Sequence, residues 1–168
     1  MRQEKAYHLS SLFSDLFSLM TTLNQGTSHD FWNFQRRPLD AIFRPNKIAI
    51  IGATEREGSV GRTITQNLLE GTWEGDLFMV NPGRWQVFGE ETYKNIASVP
   101  VDVDLAIIVV PAKYVTQVVQ ECADANIPGA IIISAGFKEI GEEGVALEQE
   151  ILEIAQAGNL RIIGQVLL

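Results

Sequence analysis

An apolar run that leads into a glycine-bearing loop constrains the fold of this chain more than any other segment. Residues 47–51 show no polar alternation, which is typical of a strand covered on both faces. Gly52 follows directly, and Gly58 and Gly61 flank the start of a helical pattern at residues 60–70. A strand, a glycine loop and a helix in this order direct backbone N–H groups and the positive end of the helix to one point, which attracts phosphate. The sequence therefore predicts a phosphate site formed by the amides around Gly52, Gly58 and Gly61.

Strands and helices alternate along the rest of the chain. Further strands are predicted at 77–80, 104–110 and 130–133 and from residue 160, and further helices follow residue 115 and residue 142. In the helix at 60–70, Ser59 is expected as the N-cap, and the inward-facing residues are expected to be Ile64, Leu68 and Leu69. This alternation predicts an α/β fold with a parallel sheet of about five strands, in which ligands bind at the carboxyl ends of the strands.

The charge and the amino-acid composition of the chain exclude some classes of function. The net charge of −8, from 13 basic and 21 acidic residues, argues against broad binding to nucleic acid, and no apolar segment is long enough to span a membrane. Cys122 is the single cysteine, so we expect a reducing, cytoplasmic setting, and its apolar helical surroundings favour a core residue over a nucleophile. His8 and His29 lack metal-like neighbours, so no metal site is predicted.

Residues 1–38 are expected to form an amphipathic helix and a linker ahead of a domain at residues 39–168. An isolated apolar stripe should not face water, so the stripe is expected to pack on the domain or on a partner chain, with a second copy as one option. Its members lie within residues 9–23 at helical spacing: Leu9, Leu12, Phe13, Leu16, Phe17, Leu19, Met20 and Leu23.

The glycine loop alone leaves the ligand open. Its spacing matches neither a G-x-G-x-x-G dinucleotide fingerprint nor a Walker A loop, so a plain tight turn and a ligand site remain equally open. The second strand ends in Asn81 and Pro82 with no carboxylate for ribose hydroxyls, and Arg84 nearby suits another phosphate. NADP would meet part of this requirement for a further phosphate near Arg84. Two later strands end in small residues or proline, at residues 110–112 and at residues 134–136. Small residues at a strand end let a ligand approach the backbone closely.

Taken together, these segments resemble the CoA-binding domain of NDP-forming acyl-CoA synthetases, relatives of the succinyl-CoA synthetase α chain. The matching segments span about residues 39–164. They are Leu39–Ala53, Val80–Pro82, Val103–Ala112, Ile132–Glu139 and Arg161–Gly164. The resemblance implies a Rossmann-like, doubly wound parallel sheet and CoA or acyl-CoA as the ligand.

The resemblance also implies a role for each loop. The first loop would hold the CoA diphosphate through Gly52, Ala53, Thr54, Gly58, Ser59, Val60 and Gly61. The adenosine end would be bordered by Asn81, Pro82 and Arg84, with Arg84 as the candidate for the 3′-phosphate. The adenine pocket would be lined by Val110, Pro111 and Ala112, and the pantetheine arm would pass Ser134, Ala135 and Gly136.

The chain departs from the family after its last strand. Family members usually continue Gly-Pro-Asn-Cys-Leu-Gly, whereas Gly164 is followed here by Gln165-Val166-Leu167-Leu168. The family's second domain, with the histidine that these enzymes phosphorylate, and its ATP-grasp part have no match, so no catalytic residue is assigned. We expect this chain by itself to bind CoA without forming acyl-CoA. An NAD(P)-binding oxidoreductase domain and a non-catalytic interaction subunit are the alternatives.

Overall fold

The computed structural model of the protein describes residues 39–134 and 142–164. The apolar stripe at residues 9–23 lies outside these ranges, so its predicted helix and the boundary at residue 38 stay predictions. The helices are α1 Asp40–Phe43, α2 Val60–Glu70, α3 Val115–Asp124 and α4 Glu142–Ala157, with 3₁₀ turns at Ile96–Ser98 and Ala112–Tyr114. The strands are β1 Lys47–Ile51, β2 Asp76–Val80, β3 Gln86–Val87, β4 Glu90–Tyr93, β5 Leu105–Ile108, β6 Gly129–Ile132 and β7 Arg161–Gly164.

The described strands form one seven-stranded sheet in the order β3-β4-β2-β1-β5-β6-β7. All neighbouring pairs are parallel except β3 and β4. Counted along the chain, the parallel strands therefore lie in the order third, second, first, fourth, fifth, sixth, which is the doubly wound order of dinucleotide-binding folds. The predicted α/β class is confirmed. The strand order changes direction between β1 and β5, where such folds bind their ligands.

Two of the seven strands were not predicted. β3 and β4 form a short antiparallel hairpin whose turn residues, Phe88 and Gly89, both have positive φ, at 51° and 87°. Asn-Gly or Asp-Gly would have marked such a turn in the sequence, but Phe-Gly does not. β4 also pairs in parallel with the end of β2, through Met79 with Thr92 and Val80 with Tyr93. The predicted strand at 104–110 is shorter than expected, since β5 ends at Ile108.

The sheet is covered on both faces, as the uniformly apolar β1 predicts. One face packs α2 through Ile64 and Leu68, whereas the other packs α3 and α4. The prediction for Leu69 was wrong, because this residue is 38% exposed. Cys122 is a core residue as expected, and its burial, with a smaller effect from the Glu121 carboxylate, raises the pKa of its thiol to about 12.

Candidate functional site

Gly52 brings the end of β1 against the end of β5 so closely that no other residue fits. Its φ is +97°, and a Cβ at this position would lie 2.2 Å from the carbonyl oxygen of Val109. The Gly52 N–H donates to the Val80 carbonyl at 2.9 Å. Gly52 therefore provides the tight turn and the close approach, but its amide is already paired and is not one of the predicted phosphate donors.

Backbone N–H groups that could bind a ligand lie further along the chain, at the start of α2. Ser59 is the N-cap, as predicted, and its Oγ accepts from the Arg62 N–H at 3.3 Å. Among the described residues, the N–H groups of Gly58, Val60 and Gly61 have no acceptor. The N–H groups of the first helical turn point out of the helix end, where the helix dipole is positive. Two helical amides and one loop amide are thus free to bind an anion.

The start of α2 lies directly beside Gly52. A Cβ on Gly61 would come within 2.9 Å of the Gly52 carbonyl oxygen, so the two backbones are in contact there. Gly58 adopts a φ of +70° in open space. The three glycines therefore serve different purposes: Gly52 and Gly61 allow close packing, whereas Gly58 only allows the loop conformation.

Arg62 and Glu55 hold the first loop in place, and neither was predicted to do so. The Arg62 guanidinium donates to the Glu55 carbonyl at 2.6 Å and lies 5.6 Å from the centre of the Phe88 ring. The Glu55 carboxylate accepts from the Phe88 N–H. The β3–β4 hairpin is thereby joined to the loop that follows β1, which makes the loop more rigid.

Asn81 connects the loop after β2 to the first loop. Its side-chain Nδ2 donates to the Ala53 carbonyl at 2.8 Å, and its Oδ1 accepts from the Gly83 N–H at 2.8 Å. Its backbone N–H donates to the Tyr93 carbonyl at 2.9 Å. Because both ends of the side-chain amide are engaged, Asn81 shapes the site by ordering two loops.

A cleft of about 650 Å³ opens between these loops. This volume is within the range of about 300–1,000 Å³ that is typical of small-molecule sites. It lies at the carboxyl ends of β1, β2, β4 and β5, across the reversal in strand order. Its lining residues are Ile51, Gly52, Val80, Asn81, Pro82, Lys94, Asn95, Val109, Val110, Pro111, Tyr114, Gln117, Val118 and Glu121.

The structure brings some of the predicted site residues into this cleft and leaves others around it. The predicted residues in the lining are Gly52, Asn81, Pro82, Val110 and Pro111. The other predicted residues of the first loop and helix start are outside the lining: Ala53, which is buried, Thr54, Gly58, Ser59, Val60 and Gly61. Of these, Gly61 packs directly against Gly52, which does line the cleft. Arg84 and Ala112 are outside the lining, and Arg84 is exposed. Ser134 is buried and its Oγ donates to the Val110 carbonyl at 2.8 Å, while Ala135 and Gly136 lie outside the described residues.

Several lining residues were not predicted from the sequence. Lys94 and Asn95 follow β4, a strand that the apolar pattern did not reveal. Tyr114 lies in the 3₁₀ turn before α3, with the Lys113 ammonium 4.8 Å from its ring centre, and Gln117 donates to the Glu121 carboxylate at 2.9 Å. No local signal pointed to Lys94, because the Phe88-Gly89 turn before β4 is not a typical hairpin sequence.

A second cavity, of about 550 Å³, lies between the segment that leads into β5 and the C-terminal end of α3. It borders the amino ends of the strands and has no glycine loop.

Within residues 39–134 and 142–164, no helix has the length and apolar character needed to cross a membrane, and no three acidic, histidine or cysteine side chains are grouped as metal ligands. The cleft at the carboxyl ends is therefore the candidate site.

Several known proteins are similar to this chain in sequence. The family model described as a CoA binding domain matches residues 46–166. The ADP-forming 4-hydroxybutyrate–CoA ligase of Nitrosopumilus maritimus is 44% identical over 123 residues, which cover 73% of this chain and 18% of the ligase. The alpha subunit of ADP-forming acetate–CoA ligase I from Pyrococcus furiosus is 42% identical, over 75% of this chain and 28% of the subunit.

A solved structure agrees with these matches. The dinucleotide-forming acetyl-coenzyme A synthetase 1 of Ca. Korarchaeum cryptofilum, in complex with phosphate and ADP, superposes with a TM-score of 0.69 at 34% identity. The superposition covers 75% of this chain and 27% of the synthetase chain, so this chain spans less than a third of each of these relatives. The chain therefore belongs to the CoA-binding domain family and corresponds to the N-terminal part of ADP-forming acyl-CoA synthetases.

Proposed function

We propose that this chain binds CoA or acyl-CoA in the cleft at the carboxyl ends of β1, β2, β4 and β5. The diphosphate lies against the start of α2, where Val60 and Gly61 supply N–H groups and Gly58 supplies a third. The single observation that carries this proposal is the set of amides at the start of α2 that have no acceptor in the described part of the chain, next to Gly52, a position with no room for a Cβ. Such an arrangement binds phosphate by charge and by hydrogen bonding at once.

The other loops contact the remaining parts of the ligand. Asn81 and Pro82 border the adenosine end, and the apolar surface of Val110 and Pro111 receives the adenine ring. The pantetheine arm passes Ser134, Ala135 and Gly136. Ser134 supports this path because its Oγ holds the Val110 carbonyl at 2.8 Å, which fixes the adenine wall and the pantetheine wall relative to each other.

We further propose that these 168 residues bind the ligand without catalysing thioester formation. In the family that the sequence resembles, the reaction passes through a phosphorylated histidine. His8 and His29, the two histidines of this sequence, both precede the matched residues 46–166. We expect no thioester from CoA, ATP, Mg²⁺ and either acetate or 4-hydroxybutyrate in the presence of this chain, while CoA binding is retained.

Isothermal titration calorimetry tests the binding proposal. We expect one CoA per chain, with dephospho-CoA and NADP⁺ as ligand controls and NADP⁺ clearly weaker. A sample shown to be folded by circular dichroism that takes up no CoA would contradict the proposal. If NADP⁺ bound more tightly than CoA, the oxidoreductase alternative would replace it.

Val60→Pro tests the position of the diphosphate. Val60 is the first helical residue, where proline is well tolerated, and the φ of −95° and ψ of 144° at Ser59 suit a residue before proline. The substitution therefore removes one N–H donor and leaves the helix intact. We expect CoA affinity to fall about tenfold, the effect of one hydrogen bond to a charged group. Val60→Ala keeps the N–H and is the matched control, so equal affinities for the two variants would place the diphosphate elsewhere.

A further inference from the structure

Lys94 lies in the wall of the cleft, directly after β4. Of the described residues that line the cleft, Lys94 is the one that carries a positive charge, and Glu121 is the one that carries a negative charge. Lys94 is exposed, and no acidic group among the described residues pairs with it. Glu121 already accepts a hydrogen bond from Gln117 on the α3 side. The Lys94 ammonium is therefore available to a ligand.

The strand order places Lys94 on one side of the diphosphate position and the adenine wall on the other. β4 and β1 are separated by β2, and neighbouring strands are about 4.8 Å apart, so the ends of β4 and β1 are about 10 Å apart. Val110 and Pro111 follow β5, on the opposite side of β1. A ribose that joins a diphosphate over β1 to an adenine near β5 can thus direct its 3′ substituent towards the ends of β2 and β4.

We infer that Lys94 binds the ribose 3′-phosphate of CoA and sets the preference for CoA over dephospho-CoA. This inference rests on the proposed function. A phosphomonoester carries between one and two negative charges at neutral pH, and a lysine ammonium is a common point-charge partner for phosphate. Arg84, for which the family resemblance implied this role, is exposed and lies outside the cleft lining.

The test compares the dissociation constants of CoA and dephospho-CoA for the wild-type chain and three variants. Lys94→Gln is expected to weaken CoA binding about tenfold and to leave dephospho-CoA binding within about twofold, so that the preference is lost. Arg84→Gln is expected to keep the preference. Lys47→Gln is the charge-matched control, because Lys47 begins β1 at the amino end of the strand, whereas the cleft lies at the carboxyl end.

The outcomes separate this inference from the proposed function. If Lys94→Gln keeps the wild-type ratio of the two constants, or if Arg84→Gln abolishes that ratio, Lys94 does not bind the 3′-phosphate. A wild-type chain that binds both ligands equally overturns the inference and leaves CoA binding in place. A wild-type chain that binds neither ligand overturns the proposed function and the inference together. Thermal unfolding of each variant checks that a loss of binding does not come from a loss of fold.

Discussion

Replacing Gly52 by alanine should disrupt both the stability of the chain and its CoA binding. The new Cβ would lie 2.2 Å from the Val109 carbonyl oxygen and 2.9 Å from the Val109 carbonyl carbon. Both neighbours are backbone atoms of the segment after β5, so relief requires one strand end to move. The φ of +97° adds a second cost, because an L-residue adopts this conformation only under strain.

The two costs can be estimated separately. A non-glycine residue in a sparsely populated positive-φ region costs about 1–3 kcal/mol, and an overpacked buried contact typically costs about 1–3 kcal/mol. Gly52→Ala should therefore lower the free energy of unfolding by about 2–6 kcal/mol. Urea denaturation followed by circular dichroism measures this change, and calorimetry with CoA measures the effect on binding.

Gly58→Ala is the matched control for Gly52→Ala. Gly58 also has a positive φ, +70°, but a Cβ there would meet nothing within 4 Å. Only the conformational cost applies, so we expect a loss of about 1–2 kcal/mol for this left-handed position. The difference in the free energy of unfolding between the two variants measures the steric cost at the close approach of the ends of β1 and β5. Equal stabilities for Gly52→Ala and Gly58→Ala would refute the steric reasoning.

Three further predictions concern the cap, the connecting asparagine and the buried thiol. Ser59→Ala removes the acceptor for the Arg62 N–H and should lower the free energy of unfolding by about 1 kcal/mol, measured by urea denaturation. Asn81→Asp should weaken CoA binding more than Asn81→Ala does, measured by calorimetry, because a carboxylate repels phosphate while both substitutions lose the donor to the Ala53 carbonyl. The pKa of Cys122 is raised to about 12 from 9.0, so the folded state binds the thiol proton more tightly than the unfolded state does. The contribution of this thiol to stability is therefore fully present below pH 9 and is lost as the pH rises towards 12. Between pH 8 and pH 10.5 the wild type should lose about 2 kcal/mol more than Cys122→Ala.

Each of these predictions has a clear contrary result. A Ser59→Ala variant as stable as the wild type would mean that solvent replaces the cap without cost. Equal CoA affinities for the aspartate and alanine variants at position 81 would place the ligand phosphates away from the loop after β2. Parallel pH profiles for the wild type and Cys122→Ala would show that the thiol reaches solvent in the native state.

Local patterns in the sequence determined the main elements and the fold class. The uniformly apolar β1, the serine before α2 and the cysteine in an apolar helix were each readable because strand burial, capping and helix periodicity depend on residues close together in the chain. The alternation of strands and helices then indicated a parallel sheet, and the family resemblance implied its doubly wound arrangement. The location of the site at the carboxyl ends of the strands followed from that arrangement.

Only the tertiary structure decided which groups at those strand ends are available to a ligand. The Gly52 amide is paired because β2 lies beside β1 and presents the Val80 carbonyl, a partner 28 residues away in sequence. β4 is short and polar, and pairing with the end of β2 brings Lys94 to the cleft while Arg84 remains outside its lining. Hydrogen-bond partners and cleft walls depend on contacts between distant segments, which local periodicity does not encode.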